Sequence, residues 1–238
     1  MISIYPDYEK LSDAAANLFV DCAKQAIDAR SRFNVALSGG STPKRAFELL
    51  ASAAYRDLVS WGAMHIFWGD ERCVPMDDPR SNARMAWETL LEKVPVPARQ
   101  IHPIDCSREP RNAARDYETL LKNNFFSNLP EFDLIFLGLG EDGHTASLFP
   151  ETAVVNETDR WVTEVFVHGQ DYHRVTLTLP VINHARVVVF LVSGDKKAKI
   201  LNQVIDKKSD REPLPAQRVE PVDGKLIWIV DRAAASQI

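Results

Sequence analysis

The chain has 238 residues, 45% of them hydrophobic, so it is long enough to bury a core without help from disulfides or metals. Its formal net charge of −5 offers no basic surplus for nucleic acid or for an anionic membrane, so an anionic small ligand would need a local cluster of cations. The N-terminus lacks the basic and apolar regions of a signal peptide, and no apolar run reaches membrane-spanning length. We therefore expect a cytoplasmic protein with a single domain over residues 1–238, as a monomer or small homo-oligomer.

Short apolar runs alternate along the chain with longer amphipathic stretches. The apolar runs are Asn34–Leu37, Met64–Trp68, Leu134–Leu137, Val187–Val192 and Leu226–Val230, and the amphipathic stretches are Leu11–Arg30, Pro43–Ala54, Ser81–Leu91, Asn112–Lys122 and Lys196–Ile205. Continuous hydrophobicity indicates strands buried on both faces, and the spacing of apolar residues in the longer stretches indicates helices. The pattern predicts an α/β fold with an open, doubly wound, mainly parallel sheet flanked by helices, whose ligands lie at the carboxyl ends of the strands.

Two further segments predict a second, smaller sheet. Trp161–Val167 and Arg174–Leu179 alternate apolar with polar residues and are rich in β-branched side chains, which is typical of a mixed or antiparallel sheet. The polar stretch 207–221 holds three prolines and is predicted to be a surface loop. The three cysteines, which include no C-x-x-C pair, are predicted to be ordinary reduced thiols.

The first candidate site follows the first apolar run, where Gly39, Gly40, Ser41 and Thr42 precede Pro43 at the start of a predicted helix. Two glycines allow close approach of the backbone, hydroxyls can donate hydrogen bonds, and a helix N-terminus favours negative charge, so the turn suits a phosphate. The spacing fits neither a nucleoside triphosphate loop nor a dinucleotide loop. An ordinary Gly-Ser turn that caps a helix explains the segment equally well.

The second candidate lies at the end of the next apolar run, where Asp70, Glu71 and Arg72 are followed by Ser81 and Asn82 at the start of a helix. Three consecutive charges are costly to bury without partners, so some of them are expected to face a ligand. The alternative is an ion pair in which Arg72 holds Asp70 or Glu71 and stabilises the loop.

The third candidate is the Gly-rich segment after Leu134–Leu137, in which Asp142 stands two residues before His144. An imidazole at this edge of the sheet can exchange protons near neutral pH, and a neighbouring carboxylate can fix its tautomer and raise its basicity. The alternative is a histidine that only hydrogen-bonds its own loop. Two cations, Arg174 and Lys197, could reach a phosphate held at Gly39–Gly40, although isolated cations are usually solvated surface groups.

These segments, in this order, resemble the 6-phosphogluconolactonase family of the pentose phosphate pathway. The matching motifs are LSGGSTP at Leu37–Pro43, WGDER at Trp68–Arg72 with Ser81-Asn82, LGLGEDGHTASLFP at Leu137–Pro150, RVTLT at Arg174–Thr178 and SGDKK at Ser193–Lys197. The resemblance implies the fold that glucosamine-6-phosphate deaminases and ribose-5-phosphate isomerases share, and a carbohydrate-metabolism hydrolase that opens a sugar-phosphate lactone with neither a metal nor an organic cofactor.

The resemblance also implies a role for each site residue. His144 would be the general base and Asp142 its support, while Asp70 and Arg72 would line the sugar pocket, with Arg72 or backbone N–H groups stabilising the oxyanion. The phosphate would lie against Gly40, Ser41 and Thr42, beside Arg174 and Lys197.

Two rivals remain open at this point: a deaminase or isomerase of the same fold, and a non-catalytic sugar-phosphate sensor. In the deaminases a glutamate commonly stands five residues after the histidine, and here that position is Phe149. The chain also has no basic recognition helix of the kind that a DNA-binding sensor would need.

Overall fold

A computed structural model describes residues 1–126, 129–206 and 212–238. Its main sheet has six parallel strands in the order β1-β9-β8-β5-β2-β3. The strands are β1 Ile2–Tyr5, β2 Phe33–Leu37, β3 Met64–Trp68, β5 Leu134–Leu137, β8 Val187–Val192 and β9 Lys225–Asp231. The five predicted apolar strands are confirmed, and each central run is buried because helices cover the sheet. The sequence pattern does not reveal β1, because it is a short edge strand in which Ile2 and Ile4 are exposed.

Helices flank this sheet. They are α1 Tyr8–Arg30, α2 Ser41–Leu50, α3 Asn82–Thr89, α4 Pro110–Asn124, α5 Leu179–Ile182 and α6 Ala198–Ile205. In two of them, α1 and α3, a side chain satisfies a first-turn N–H group. The Asp7 carboxylate accepts a hydrogen bond from the Lys10 N–H, and the Ser81 hydroxyl accepts one from the Arg84 N–H. None of the described helices is long and apolar enough to cross a bilayer.

Several predicted boundaries are wrong by a few residues. The helix predicted over Pro43–Ala54 ends at Leu50, where the Ser52 hydroxyl donates to the Leu49 carbonyl and closes the last turn. The helix predicted over Ser81–Leu91 ends at Thr89 and continues as a short 3-10 turn, and another 3-10 turn precedes α6. These positions are ordinary helix ends, which fray and tighten.

The second sheet is antiparallel and has the order β4-β7-β6, with strands β4 Asp70–Arg72, β6 Val162–Phe166 and β7 His173–Leu177. The predicted small sheet is confirmed, but its second strand ends at Leu177, because Thr178 and Pro180 start α5. Gly69 joins the two sheets: its N–H donates to the Leu37 carbonyl in the main sheet, and its carbonyl accepts from the Leu177 N–H.

The stretch 207–221 is only partly the surface loop that the sequence predicts. Residues 207–211 lie outside the described residues, and Pro215–Arg218 forms a 3-10 turn in which Pro215 and Ala216 are buried. The Ala216 N–H donates to the Gly143 carbonyl, so this turn packs beneath the loop that follows β5.

The strand order creates a crevice at the carboxyl edge of the sheet. The chain moves outward from β2 to β3 on one side and from β5 to β8 and β9 on the other, so the order reverses between β2 and β5. The loops that leave these neighbouring strands diverge at such a reversal and leave room for a ligand. Three of the predicted candidate segments follow β2, β3 and β5, and the segment with Lys197 follows β8.

Candidate active site

Nine of the ten predicted site residues line one cavity of about 260 Å³ at this edge. They are Gly39, Gly40, Ser41, Thr42, Asp70, Arg72, His144, Arg174 and Lys197. The tenth, Asp142, is hydrogen-bonded to the His144 ring. The cavity has the size of one small ligand, so a single molecule would contact all four loops.

The loop after β2 forms a turn in which a ligand can approach the backbone closely. Gly40 has φ +100°, a conformation that favours glycine, and it stands directly before the first residue of α2. No side chain in the described part of the protein caps this helix, so its first N–H groups remain available to an anion. The Tyr8 hydroxyl donates to the Ser41 carbonyl at 2.6 Å and anchors the turn.

The loop after β8 brings a cation to the same cavity. The Asp231 carboxylate accepts hydrogen bonds from the Ser193 hydroxyl and from the Gly194 N–H, which fixes the turn that carries Lys197. Lys197 is half-buried and forms no ion pair with the rest of the described chain. An ammonium without a carboxylate partner is free to bind an anionic ligand.

The loop after β5 holds His144 in a defined orientation. The Asp142 carboxylate accepts hydrogen bonds from the His144 backbone N–H at 3.0 Å and from ring atom Nδ1, which lies 2.5 Å from Oδ1. Because Nδ1 donates to Asp142, Nε2 is the nitrogen left to act as a base. Burial pushes the pKa of Asp142 upward, but the hydrogen bonds from His144 outweigh it, so this pKa lies below its ordinary value.

Backbone contacts keep this loop compact. The Gly140 N–H donates to the His144 carbonyl, and the Thr145 hydroxyl donates to the Gly138 carbonyl. A Cβ at Gly140 would lie 2.1 Å from His144 Nδ1, so only glycine fits against the imidazole. The ring of Phe149 stacks on the other side, with centroids 4.0 Å apart.

The strand β4 divides its charges between two sides. Asp70 and Arg72 line the cavity, whereas Glu71 points away and accepts the backbone N–H groups of Asn82 and Ala83, both at 2.7 Å. Burial raises the pKa of Glu71, with a further rise from the Asp70 charge. Glu71 is therefore a structural residue that holds the start of α3, a separation that follows from the two-residue period of a strand.

The predicted ion pair between Arg72 and its neighbours does not form among the described contacts. Arg72 Nη1 donates to the Arg80 carbonyl, and its Nε is buried without a hydrogen-bond partner in the described chain. Asp70 is held instead by the Ser147 hydroxyl at 2.6 Å and by Arg174, whose Nη1 lies 3.8 Å from Oδ2. The alternative that the sequence left open is thus wrong, because the strand's register turns Arg72 toward a different loop.

Arg174 is more enclosed than a simple phosphate ligand. It is 6% exposed, donates to Gln170, Tyr172 and Ser147, and lies over the ring of Phe149. Gln170 and Tyr172 lie within four residues of Arg174, and Ser147 and Phe149 belong to the motif Leu137–Pro150, but the sequence did not show that these side chains surround the guanidinium. Arg174 therefore neutralises Asp70 while one side still faces the cavity.

Asn82 is a cavity residue whose individual role the sequence did not reveal. Its Nδ2 donates to the Asp70 carbonyl and carboxylate, and its Oδ1 is buried without a hydrogen-bond partner among the described residues. A Cβ at Gly39 would lie 1.6 Å from this oxygen, so the glycine permits Asn82 to enter the cavity wall. The available signal was the Ser-Asn pair at the helix start.

No group of three or more His, Cys, Asp or Glu side chains in the described ranges has an arrangement that could hold a metal ion. The prediction that the reaction needs no cofactor stays a prediction.

Comparisons with known proteins show the family and the fold of the chain. A family model described as "Glucosamine-6-phosphate isomerases/6-phosphogluconolactonase" matches residues 6–228. A 6-phosphogluconolactonase of Synechocystis sp. is 43% identical over 218 residues, which cover 90% of this chain and 88% of the relative. A solved 6-phosphogluconolactonase from Trypanosoma cruzi has a TM-score of 0.90 at 30% identity, covering 100% of this chain and 96% of that chain.

A monomeric glucosamine-6-phosphate deaminase of known structure also matches, with a TM-score of 0.85 over 100% of this chain and 99% of that chain. At 19% identity this match is a likeness of fold alone.

Proposed function

Because the chain belongs to the glucosamine-6-phosphate isomerase/6-phosphogluconolactonase family, we propose that it hydrolyses 6-phospho-D-glucono-1,5-lactone to 6-phospho-D-gluconate in the oxidative pentose phosphate pathway. The observation that carries this proposal is one cavity lined by an oriented imidazole, a helix N-terminus and a lysine, of which the last two have no side-chain cap and no ion pair among the described residues. An anionic sugar derivative needs a cationic anchor at one end and a base at the other, and this cavity supplies both.

His144 acts as the general base in the proposed mechanism. Its Nε2 removes a proton from water as the water oxygen attacks the lactone carbonyl, and Asp142 stabilises the imidazolium that forms. On collapse of the tetrahedral intermediate, the bond to the ring oxygen breaks and His144 returns the proton to that oxygen. The products are the open-chain hydroxyl and the carboxylic acid, which ionises at neutral pH.

Arg72, or a nearby backbone N–H group, donates to the charge that develops on the carbonyl oxygen in this mechanism. The buried Nε of Arg72 has no hydrogen-bond partner in the described chain, so its N–H is free to donate when the oxyanion forms. Asn82 Oδ1 is an unpaired acceptor in the same wall and can receive a substrate hydroxyl. Asp70, held by Ser147 and Arg174, keeps this wall in place.

The phosphate lies at the other end of the cavity, against Gly40, Ser41, Thr42 and Lys197. Binding energy from this remote group orients the ring and reduces the entropy that the reaction must lose. Arg174 adds positive charge to the same cavity, although Asp70 neutralises part of it.

The deaminase alternative is disfavoured by the residue stacked on the imidazole. Phe149 occupies the position five residues after His144 and supplies no carboxylate to assist ring opening. Release of ammonia from glucosamine 6-phosphate at a useful rate would favour the deaminase over the lactonase. A sensor would bind 6-phosphogluconate without accelerating lactone hydrolysis, and the pairing of Asp142 with His144 favours catalysis over that role.

We propose a cytoplasmic location for this activity, and the monomeric or small homo-oligomeric state and the single domain stay predictions. The partner is the small sugar-phosphate lactone, with no role for nucleic acid or membrane.

The direct test follows disappearance of the lactone with the parental protein and with His144→Ala. The lactone also hydrolyses in water, so each rate is compared with the uncatalysed rate in the same buffer. Loss of the base should lower kcat by about 10²–10⁴-fold while KM changes little. A variant that hydrolyses the lactone at the parental rate would remove His144 from the mechanism.

A further inference from the structure

Two of the three cysteines meet behind the wall of the active site. Cys73 Sγ lies 2.8 Å from Cys106 Sγ, although the residues are 33 positions apart in the chain. A disulfide bond is about 2.05 Å long, so less than about 1 Å of movement separates these thiols from bonding distance. Cys22 lies apart from them on α1, where burial raises its pKa to about 12.

The pair occupies the face of β4 opposite to the substrate. Asp70 and Arg72 line the substrate cavity, whereas Glu71 and Cys73 line a second cavity of about 700 Å³. The alternation is that of any strand, and it continues past Arg72 because the Cys73 N–H donates to the His173 carbonyl of β7. A bond at Cys73 would therefore act on the strand that carries Asp70 and Arg72.

Both thiols can be reached from solvent through this second cavity. Cys73 and Cys106 are each half-buried, and the cavity between them also contacts the exposed side chain of Met76. The structure therefore permits a small-molecule disulfide to approach either sulfur.

The surroundings of Cys106 disfavour its thiolate. The hydrogen bond to Cys73 and then burial raise the pKa of Cys106, and the carboxylates of Glu71 and Asp105 add to the effect. Since the thiolate is the attacking form, this environment lowers the fraction of Cys106 that can attack a disulfide at neutral pH.

We propose that Cys73 and Cys106 form an internal disulfide reversibly, by exchange with small-molecule disulfides such as oxidised glutathione. One cysteine thiolate attacks a sulfur of the reagent, breaks its S–S bond and releases one glutathione thiolate. The second cysteine then attacks the protein sulfur of the mixed disulfide and releases the second glutathione. The protein loses two electrons and two protons, and the reagent gains them.

The new bond ties the end of β4 to the segment before α4 and closes a loop that contains α3. Such a closure restricts the unfolded chain, and we expect it to raise the Tm by about 5–10 °C. The bond also fixes the cavity wall formed by Asp70, Arg72 and Asn82. Any effect of the bond on lactone turnover rests on the proposed function, but formation of the disulfide is independent of that function.

The test incubates the full chain with oxidised glutathione at pH 8.5 and then counts thiols under denaturing, non-reducing conditions. The expected result is a fall from three titratable thiols to one, a mass loss of two hydrogens, and a linked peptide that joins Cys73 to Cys106. Dithiothreitol should restore three thiols and the original Tm. Cys22→Ser should form the same link, whereas Cys73→Ser and Cys106→Ser should form none.

Three outcomes would overturn the proposal: three thiols that remain titratable, a link that involves Cys22, or a disulfide between two chains. Because thiol count and mass do not depend on activity, a failure here would leave the lactonase proposal standing. A failure of the lactonase assay would likewise leave the disulfide testable.

Discussion

At the scale of single residues, the site depends on glycines that leave room for side chains. Gly140→Ala places a methyl 2.1 Å from His144 Nδ1 and 2.7 Å from Asp142 Oδ1, so the variant must separate the pair that orients the base. We expect kcat for lactone hydrolysis to fall by about 10²-fold or more, with a smaller change in KM.

Gly62→Ala is the matched control for this variant, because a Cβ at Gly62 meets nothing within 4 Å. Its kinetics should equal those of the parent. Parental kcat in Gly140→Ala would show that the Asp142–His144 contact does not matter for turnover.

Lys197 belongs to binding rather than to chemistry in this account. Lys197→Ala removes a charge-assisted contact worth about 1.5–3 kcal/mol, so KM should rise by about 10–100-fold while kcat stays close to parental. The exposed neighbour Lys196→Ala controls for loss of charge on the same turn. Equal KM values in the two variants would take Lys197 out of the phosphate site.

Sequence patterns identified nine cavity residues and the orienting Asp142 because nearly all of them lie in segments that follow main-sheet strands or at helix starts, whereas Arg174 lies at the start of β7. The same patterns could not find Ser147 as the partner of Asp70, since the two are 77 positions apart and only the packing of the two sheets brings them together. The gathering of these residues at one cavity was thus predictable, but their supporting hydrogen bonds were not.

At the scale of elements, the start of α3 depends on one buried carboxylate. Glu71 accepts hydrogen bonds from the N–H groups of Arg72, Asn82 and Ala83 and from the Ser81 hydroxyl. Glu71→Gln replaces one accepting oxygen with an amide that faces these donors. We expect a loss of about 2–3 kcal/mol in the free energy of unfolding, measured by urea titration, and a higher KM because Asn82 shifts.

The exposed Glu92→Gln on the following turn is the control and should retain parental stability. If Glu71→Gln unfolds at the parental urea midpoint, the carboxylate does not hold the helix start.

The strand β4 is an element that the hydrophobic pattern of the sequence does not predict. The strand β4 has only Asp70, Glu71 and Arg72, and three charged residues carry no hydrophobic signal. It exists because Gly69 passes the chain from one sheet to the other and β7 supplies a partner. The main-sheet strands, which have four to seven residues, are by contrast recognisable in the sequence as apolar runs. The exception is the edge strand Ile2–Tyr5.

At the scale of the whole molecule, two histidines make stability depend on pH. Burial, with the nearby positive charge of Arg32, lowers the pKa values of His65 and His102 to about 4. In the unfolded chain a histidine has a pKa of about 6.5. Between pH 4 and 6.5 the unfolded chain therefore binds protons that the folded chain does not, so stability rises with pH through this window and levels off above it.

The measurement is Tm between pH 4.5 and 7.5 for the parent and for His65→Gln, with the exposed His168→Gln as control. The His65 variant should show a shallower rise below pH 6.5, whereas the control should keep the parental slope. Identical slopes for all three proteins would contradict the assignment of these buried imidazoles.

We propose that one cavity holds the lactone carbon at His144 and the phosphate at the start of α2. A crystal structure with the product, 6-phosphogluconate, tests it most directly. We predict the carboxyl group about 2.6–3.2 Å from His144 Nε2 and the phosphate within about 2.7–2.9 Å of Lys197 Nζ, with the Ser41 and Thr42 N–H groups also donating to it. A phosphate bound at His144, or a product bound outside this cavity, would contradict the account.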